Sequence, residues 1–358
     1  MQGRRLALLA LVGLLALGAL LLAGRPETGG PPQPHLLYPG LEKRINDTAL
    51  IRVQTPERSF TIGRRDGHWT VDAVHGYAAD GSTVRRLLIT LVRMRAMEAK
   101  TRDPERHARL GVEDPGQPGA NSVGLTVEDG SGGILADLIV GERRPSPGRP
   151  GNDEGYVRAK GDPQAWLVRP WPRVERDPMR WIDRRIADIP AADIREIEIR
   201  HPDGDTLHLL RGPGDEAHFR LQDLAPGETP AAPAVLDAPS HFLENLRLNE
   251  VMPESAAPAA MAGATRVLLR TRSGLEVRCR ILEQEDRHLL AIEAAAGSTP
   301  AASGEAAAGA DDPAAAAEAL NRRTRGWVYV IPAYKAAAVL KRRADLLQPP
   351  AAAEGQGD

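Results

Sequence analysis

From residue 48 onward, apolar and polar positions alternate in short runs, which is the period of a β-strand. Ala49, Ile51 and Val53 alternate with polar neighbours, followed by a turn at Thr55-Pro56. Phe60 and Ile62 come next, then Asp66-Gly67, then Trp69 and Val71. This predicts a three-stranded meander. The pattern returns in the second half: Ile197 and Ile199, a turn at Pro202-Asp203-Gly204, Leu207 and Leu209, a Gly-rich turn, then Phe219 and Leu221.

A helical period follows each meander. The first helix is expected to start near Asp80 or Ser82, residue types that accept a hydrogen bond from the first turn. Val84, Leu87, Leu88, Leu91 and Met94 would line its apolar face. The second is expected near Asp237 or Ser240, with Phe242, Leu243 and Leu246 on its face. Hairpins come next, Val123–Val127 returning through Ile134–Val140, and Val267–Thr271 returning through Leu275–Ile281. Strands at 156–158 with 166–168, and at 290–292 with 328–330, close the halves, and a terminal helix follows Pro332.

Three strands, helix, hairpin and two strands thus occur twice. The expected fold class is α+β, with two related units, each an antiparallel sheet with a covering helix. The first unit spans 45–170 and the second 191–347, joined by a connector at 171–190. Residues 295–320 are almost all Ala, Gly, Ser, Pro and acid. They read as a disordered insertion, with too little apolar surface to offset ordering entropy. Residues 348–358 read as a disordered tail, and the Ala/Pro stretch 225–238 as a loop.

The N-terminus has a different pattern. Arg4 and Arg5 precede an uncharged run from Leu6 to Gly24. As a helix it would reach about 28 Å, close to the ~30 Å hydrocarbon core of a bilayer. Residues 1–24 are therefore expected to be a cytoplasmic N-terminus and transmembrane anchor, with the rest of the chain exported. The competing reading is a cleaved signal peptide, but Leu stands where a small residue should precede the cut. The Pro- and Gly-rich residues 25–44 read as a tether.

Composition narrows the function classes. Net charge is −2, from 46 Lys and Arg against 48 Asp and Glu, which argues against nucleic-acid binding through bulk charge. The sole cysteine, Cys279, has no internal disulfide partner and falls on the inward side of a strand as a small hydrophobe. The nine histidines form no His-x-x-x-His or His-x-His pair with a nearby carboxylate. Glycines 130, 132 and 133 sit in a hairpin turn, not before a helix, so they do not form a phosphate loop. No nucleophile elbow is present. The sequence thus assigns no catalytic residue, cofactor or metal. The most basic stretch holds Arg173, Arg176, Arg180 and Arg184 around Trp181 and is the candidate contact for a partner or anionic lipid. Glu175, Asp177, Asp183 and Asp188 dilute its charge, so a solvated connector competes.

Several segments together resemble a known family. They are DGHWTV, STVRRLLITLVRMRA, RLGVEDPG, LADLIVGER, GYVR, WLV and WIDRRIADIPAADIREIEI, behind an N-terminal anchor. The chain resembles the bacterial domain-of-unknown-function family 4340 over roughly residues 45–345. The resemblance implies a periplasmic protein held in the inner membrane. Its relatives are often encoded beside permease and ATPase genes of gliding-motility-type ABC transporters, and some are fused to the related auxiliary subunit. The implied role is a non-enzymatic binding or scaffold subunit of an envelope complex, with no functional residues to carry over. Two other classes stay open. One is an envelope hydrolase whose carboxylates (Asp153, Glu154, Asp183 and Asp203 are contributors) meet only in three dimensions. The other is a ligand-binding module using a groove between the repeats.

Overall fold

The computed structural model describes residues 33–145, 153–212, 217–297 and 312–348. The apolar run expected to anchor the chain lies outside them. Among the described residues no helix is long and apolar enough to cross a membrane. The architecture is α+β, with extensive antiparallel sheets and a few short helices. Two compact units divide the chain. The first holds the described residues up to Gly67 and Gly81–Arg176, and the second holds His68–Asp80 and the described residues from Asp177 on.

The first unit opens with β1 (His35–Leu36), α1 (Leu41–Arg44), β2 (Thr48–Gln54) and β3 (Ser59–Arg65). The short strands β4 (His68–Val71) and β5 (Tyr77–Ala78) group with the second unit. Then come α2 (Gly81–Arg93), β6 (Arg95–Ala99), β7 (Val123–Asp129), β8 (Ile134–Arg144), β9 (Glu154–Ala159) and β10 (Ala165–Arg169). Sheet order is β1-β6-β10-β9-β8-β7-β2-β3, antiparallel throughout. The alternation read from the sequence sets the inner face, where Ile51, Val53, Phe60, Ile62, Leu125, Val127 and Leu138 are all buried. Helix α2 buries Val84, Leu87 and Leu91, as the three- and four-residue spacing requires.

The outer face of this sheet is strapped. A 3₁₀ turn at Pro104–Leu110 leads into Val112, which packs on Ile139 and Ala165 with Leu110 and Tyr156 beside them. The strap's backbone comes so close that only glycine fits beneath it. A Cβ on Gly141 would stand 2.4 Å from the Leu110 carbonyl oxygen. Arg158 is buried under the same strap, and its Nε donates to the Val112 carbonyl at 2.9 Å.

The second unit contains β11 (Arg185–Ala187), β12 (Ile194–Arg200), β13 (Thr206–Leu210), β14 (Arg220–Leu221), α3 (Pro233–Asp237), β15 (Leu246–Arg247) and β16 (Glu250–Pro253). It continues with β17 (Thr265–Thr271), β18 (Leu275–Gln284), β19 (Arg287–Ala296), α4 (Pro313–Thr324), β20 (Trp327–Ile331) and α5 (Ala333–Val339). Its main sheet has the order β14-β13-β12-β17-β18-β19-β20-β16, and β11 pairs with β15 separately. Ile197, Ile199, Leu207, Leu209, Val277 and Leu290 fill the inner face, with Cys279 as a buried small residue. Tyr77 from the β4–β5 ribbon meets Trp327 edge-on, with ring centroids 5.0 Å apart.

Four sequence expectations are corrected. The helix expected near Asp237 or Ser240 is absent as such. Asp237 ends α3, a 3₁₀ turn spans Ala238–Phe242, and Leu246 is already in β15. Pro239 supplies no N–H, and Asn245 turns the backbone at φ 46°. Asp237 instead accepts from the Phe219 amide at 2.8 Å. The insertion expected at 295–320 is partly ordered, since β19 runs to Ala296 and α4 begins at Pro313. Alanine is the strongest helix former, Asp312 caps the first turn, and Pro313 is tolerated there. Packing adds to this. Asn321 of α4 accepts from the Ala294 amide and donates to its carbonyl, so it covers a stretch of β19 that β20 does not reach. The loop expected at 225–238 contains α3. The tether expected at 25–44 ends in ordered chain, because β1 pairs with β6 and α1 forms at Leu41–Arg44.

Candidate ligand-binding face

The basic connector is divided between the two units. Arg173 and Arg176 belong to the first unit, and Arg180, Trp181 and Arg184 to the second. Arg173 donates to Glu175 at 2.7 Å, and Arg176 donates to the Asn121 carbonyl. Arg184 places Nε and Nη2 on the Leu248 carbonyl at 3.0 and 2.8 Å. Trp181 is fully buried, so it is a core side chain and not a surface contact. Arg180 is exposed at the end of a 3₁₀ turn.

Each of the four carboxylates has a basic partner of its own. Asp153 pairs with Arg143 at 2.8 Å, and Glu154 with Arg169. Asp183 lies 4.0 Å from Arg323, and Asp203 pairs with Arg342 at 2.7 Å. The Arg342 hydrogen bond, with the Asp205 amide, holds Asp203 below the usual carboxylate range, which is the opposite of a general acid. Among the described residues, no group of three or more His, Cys, Asp and Glu is placed to hold a metal ion. His201 is buried, with Nδ1 3.2 Å from the Thr265 hydroxyl and Nε2 2.9 Å from the Lys341 carbonyl. It ties β17 to the C-terminal segment.

A feature that sequence reasoning missed lies on the outer face of the second sheet. Strand register aligns residues far apart in the chain into rows. One row is Arg200–Arg266–Arg280–Ala291, the next Glu198–Leu268–Arg278–Glu293, and the third Glu196–Arg270–Glu276–Ala295. The first row places three arginines directly opposite one another on adjacent strands. Like charges so placed repel.

The partners of these arginines differ. Arg270 is committed to the sheet, since Glu196 and Glu276 both bind it. Burial alone would lower its pKa, but these carboxylates outweigh that and raise it. Arg200 leans on Glu198, Arg278 on Glu276 at 2.6 Å, and Arg280 on Glu254 at 2.8 Å. Arg266, the middle of the row, is exposed and has no ion pair or side-chain hydrogen bond among the described residues.

These residues line an open groove of about 690 Å³. Leu268, Ala262 and Ala291 give it an apolar floor, and five arginines face two glutamates around it. The size suits a small ligand. One end is closed by an apolar cluster, where the 3₁₀ turn Ala259–Gly263 sets Met261 on Leu289, Ala291, Val328 and Val330. The sequence carried one trace of the face, Arg266 and Arg270 in β17 and Arg278 and Arg280 in β18, all on the polar side of their strands. Only the register shows that Arg200 joins them.

The family model described as Domain of unknown function (DUF4340) matches residues 69–263. Neither a curated protein nor a solved structure matches the chain.

Proposed function

We propose, from the premise that this chain belongs to the DUF4340 family, whose model covers more than half of it, that it is a non-enzymatic binding subunit. In this reading an N-terminal anchor holds it in the bacterial inner membrane and its two units work in the periplasm, beside an ABC transporter permease or related auxiliary subunit. The observation that carries the reading is the open arginine face of the second sheet, a surface fitted to hold something and not to transform it.

The two units are read as related, which supports a scaffold built by duplication. Seven strands of the first sheet run β6-β10-β9-β8-β7-β2-β3, and seven of the second run β16-β20-β19-β18-β17-β12-β13. Each position differs by ten in chain order. A 3₁₀ strap precedes β7 in one and β17 in the other, and each packs on its sheet's outer face.

Purification of the full chain in mild non-ionic detergent tests the function. A transporter permease or auxiliary subunit is expected at stoichiometric yield. Recovery of the chain alone, with every candidate subunit expressed, overturns the assignment.

A further inference from the structure

We infer that the groove on the outer face of β12, β17, β18 and β19 binds a short zwitterionic peptide of dipeptide length, its carboxylate on Arg266 and its amine on Glu293. This rests on the reading of the chain as a binding protein and names the ligand class of that site.

The ion pairs decide which charges are left. Glu196 holds Arg270, Glu198 holds Arg200, Glu254 holds Arg280 and Glu276 holds Arg278. Arg266 and Glu293 are the remainder around the groove. Both are exposed, and neither has an ion pair or side-chain hydrogen bond among the described residues. The leftover charges are one cation and one anion. The matching ligand is therefore neutral overall and carries one charge of each sign.

Register sets how far apart the two stand. Arg266 of β17 opposes Arg280 of β18, and Arg278, two residues back, opposes Glu293 of β19. Arg266 and Glu293 are thus diagonal corners, two strands and two residues apart. With strands about 4.8 Å apart and a rise of about 3.4 Å per residue, that diagonal is roughly 12 Å. Side chains stand roughly perpendicular to a sheet, and a contact of about 3 Å at each end leaves roughly 6 Å between the ligand's own charges. The two ends of a single amino acid are only about 2.5 Å apart, and one more extended residue adds about 3.5 Å, so a dipeptide fits.

The middle of the diagonal is open because its own cations are drawn away. Arg280 reaches out to Glu254 in the 3₁₀ turn Glu254–Ala256, and Arg278 turns along its strand to Glu276. Their aliphatic stems line the groove with Leu268 and Ala291, an apolar floor for the small side chains of a peptide. The Arg266 fork matches a carboxylate two oxygens at a time, and the Glu293 carboxylate accepts from an ammonium.

Calorimetry on the detergent-purified full chain tests this, with L-alanyl-L-alanine as probe and its N-acetyl and C-terminal amide forms as comparisons. The free dipeptide is expected to bind one per chain. Either blocked form should bind at least about tenfold more weakly, since each loses a charged hydrogen bond. Arg266→Ala should weaken the free dipeptide about tenfold and erase its advantage over the amide, while its advantage over the acetylated form stays. Glu293→Gln should do the reverse. Arg64→Ala, at an exposed arginine of the first unit, should change neither preference. Circular dichroism of each variant separates lost binding from lost fold. Equal binding of all three peptides overturns the inference, as does a preference for the free carboxylate that survives in folded Arg266→Ala. Failure of the subunit purification with dipeptide binding intact sinks only the partner assignment. Retained co-purification with no dipeptide binding up to about 10 mM sinks only the ligand class.

Discussion

The two sheets share a strand order and differ in what covers their outer faces. In the first unit the strap extends past Val112 to Pro115, whose ring lies over Gly124 of β7. Beside Pro115 there is a cavity of about 30 Å³. In the second unit the strap ends at Gly263, next to Met261, and the neighbouring rows stay exposed as a groove of about 690 Å³. Arginine marks the difference. Arg158 of the first face is buried, and its guanidinium donates to the Val112 and Asp162 carbonyls. Arg266 of the second face has no such partner among the described residues. The same residue type is a structural pin under a strap and an available cation without one.

The largest test of that contrast is Arg158→Ala. It removes charged hydrogen bonds from two carbonyls and leaves a cavity under the strap, so a loss of about 3 kcal/mol is expected. Urea unfolding of the purified chain checks it. A loss below about 1 kcal/mol would show that the first strap does not depend on its arginine. Gly141→Ala comes next. The new Cβ would meet the Leu110 and Gly111 carbonyl oxygens at 2.4 and 2.8 Å, so the strap must lift. A cost of about 1–3 kcal/mol is expected, with faster amide exchange at 110–112 than in the wild type.

A third test lies in the second unit. Asn321→Leu strips the side-chain amide from the Ala294 N–H and carbonyl. One or both would lose a partner, costing about 1–2 kcal/mol, with exchange at Ala294 the local readout. This is also where sequence reading fell short. Alternation made the inner faces legible, because Ile51, Val53, Ile197 and Ile199 have no other place to go. Helix α2 was legible from its spacing. Helix α4 was not, since its alanines show no apolar stripe and it is held to the fold by two small buried side chains, Ala317 and Thr324, and by one asparagine on a strand edge. Nor was the broken helix near Ser240, where the apolar spacing was present but Pro239 and the turn at Asn245 overrode it. The arginine row was invisible for another reason: it exists only across strands, in the register that pairs Arg200 with Arg266 and Arg266 with Arg280.

Acid should act on the second unit through its C-terminal turn. Asp203 and Glu228 both sit below their ordinary range, chiefly through hydrogen bonds from Arg342 and Arg343. A carboxylate depressed in the folded state contributes fully above its unfolded pKa and loses that contribution as pH falls through its folded value. Stability should therefore decline below the ordinary carboxylate range. Asp203→Asn should shallow the decline, as followed by melting temperature against pH. An unchanged acid limb would remove Asp203 from that account.

The smallest expected effect is the most diagnostic for the open face. Arg266→Ala deletes a side chain with no partner among the described residues, so its stability change should lie within about 0.5 kcal/mol. Its sign carries the argument. Arg200 and Arg280 stand directly opposite Arg266, and like charges in that position repel. Removing the middle charge should slightly raise the melting temperature at low salt. The gain should vanish near 1 M salt, where charges separated by more than about 3 Å are screened. A loss of stability that salt leaves unchanged would mean that the Arg266 stem is packing on Leu268 and its neighbours. The second face would then be held like the first, and the contrast between a covered arginine and an open one would fall.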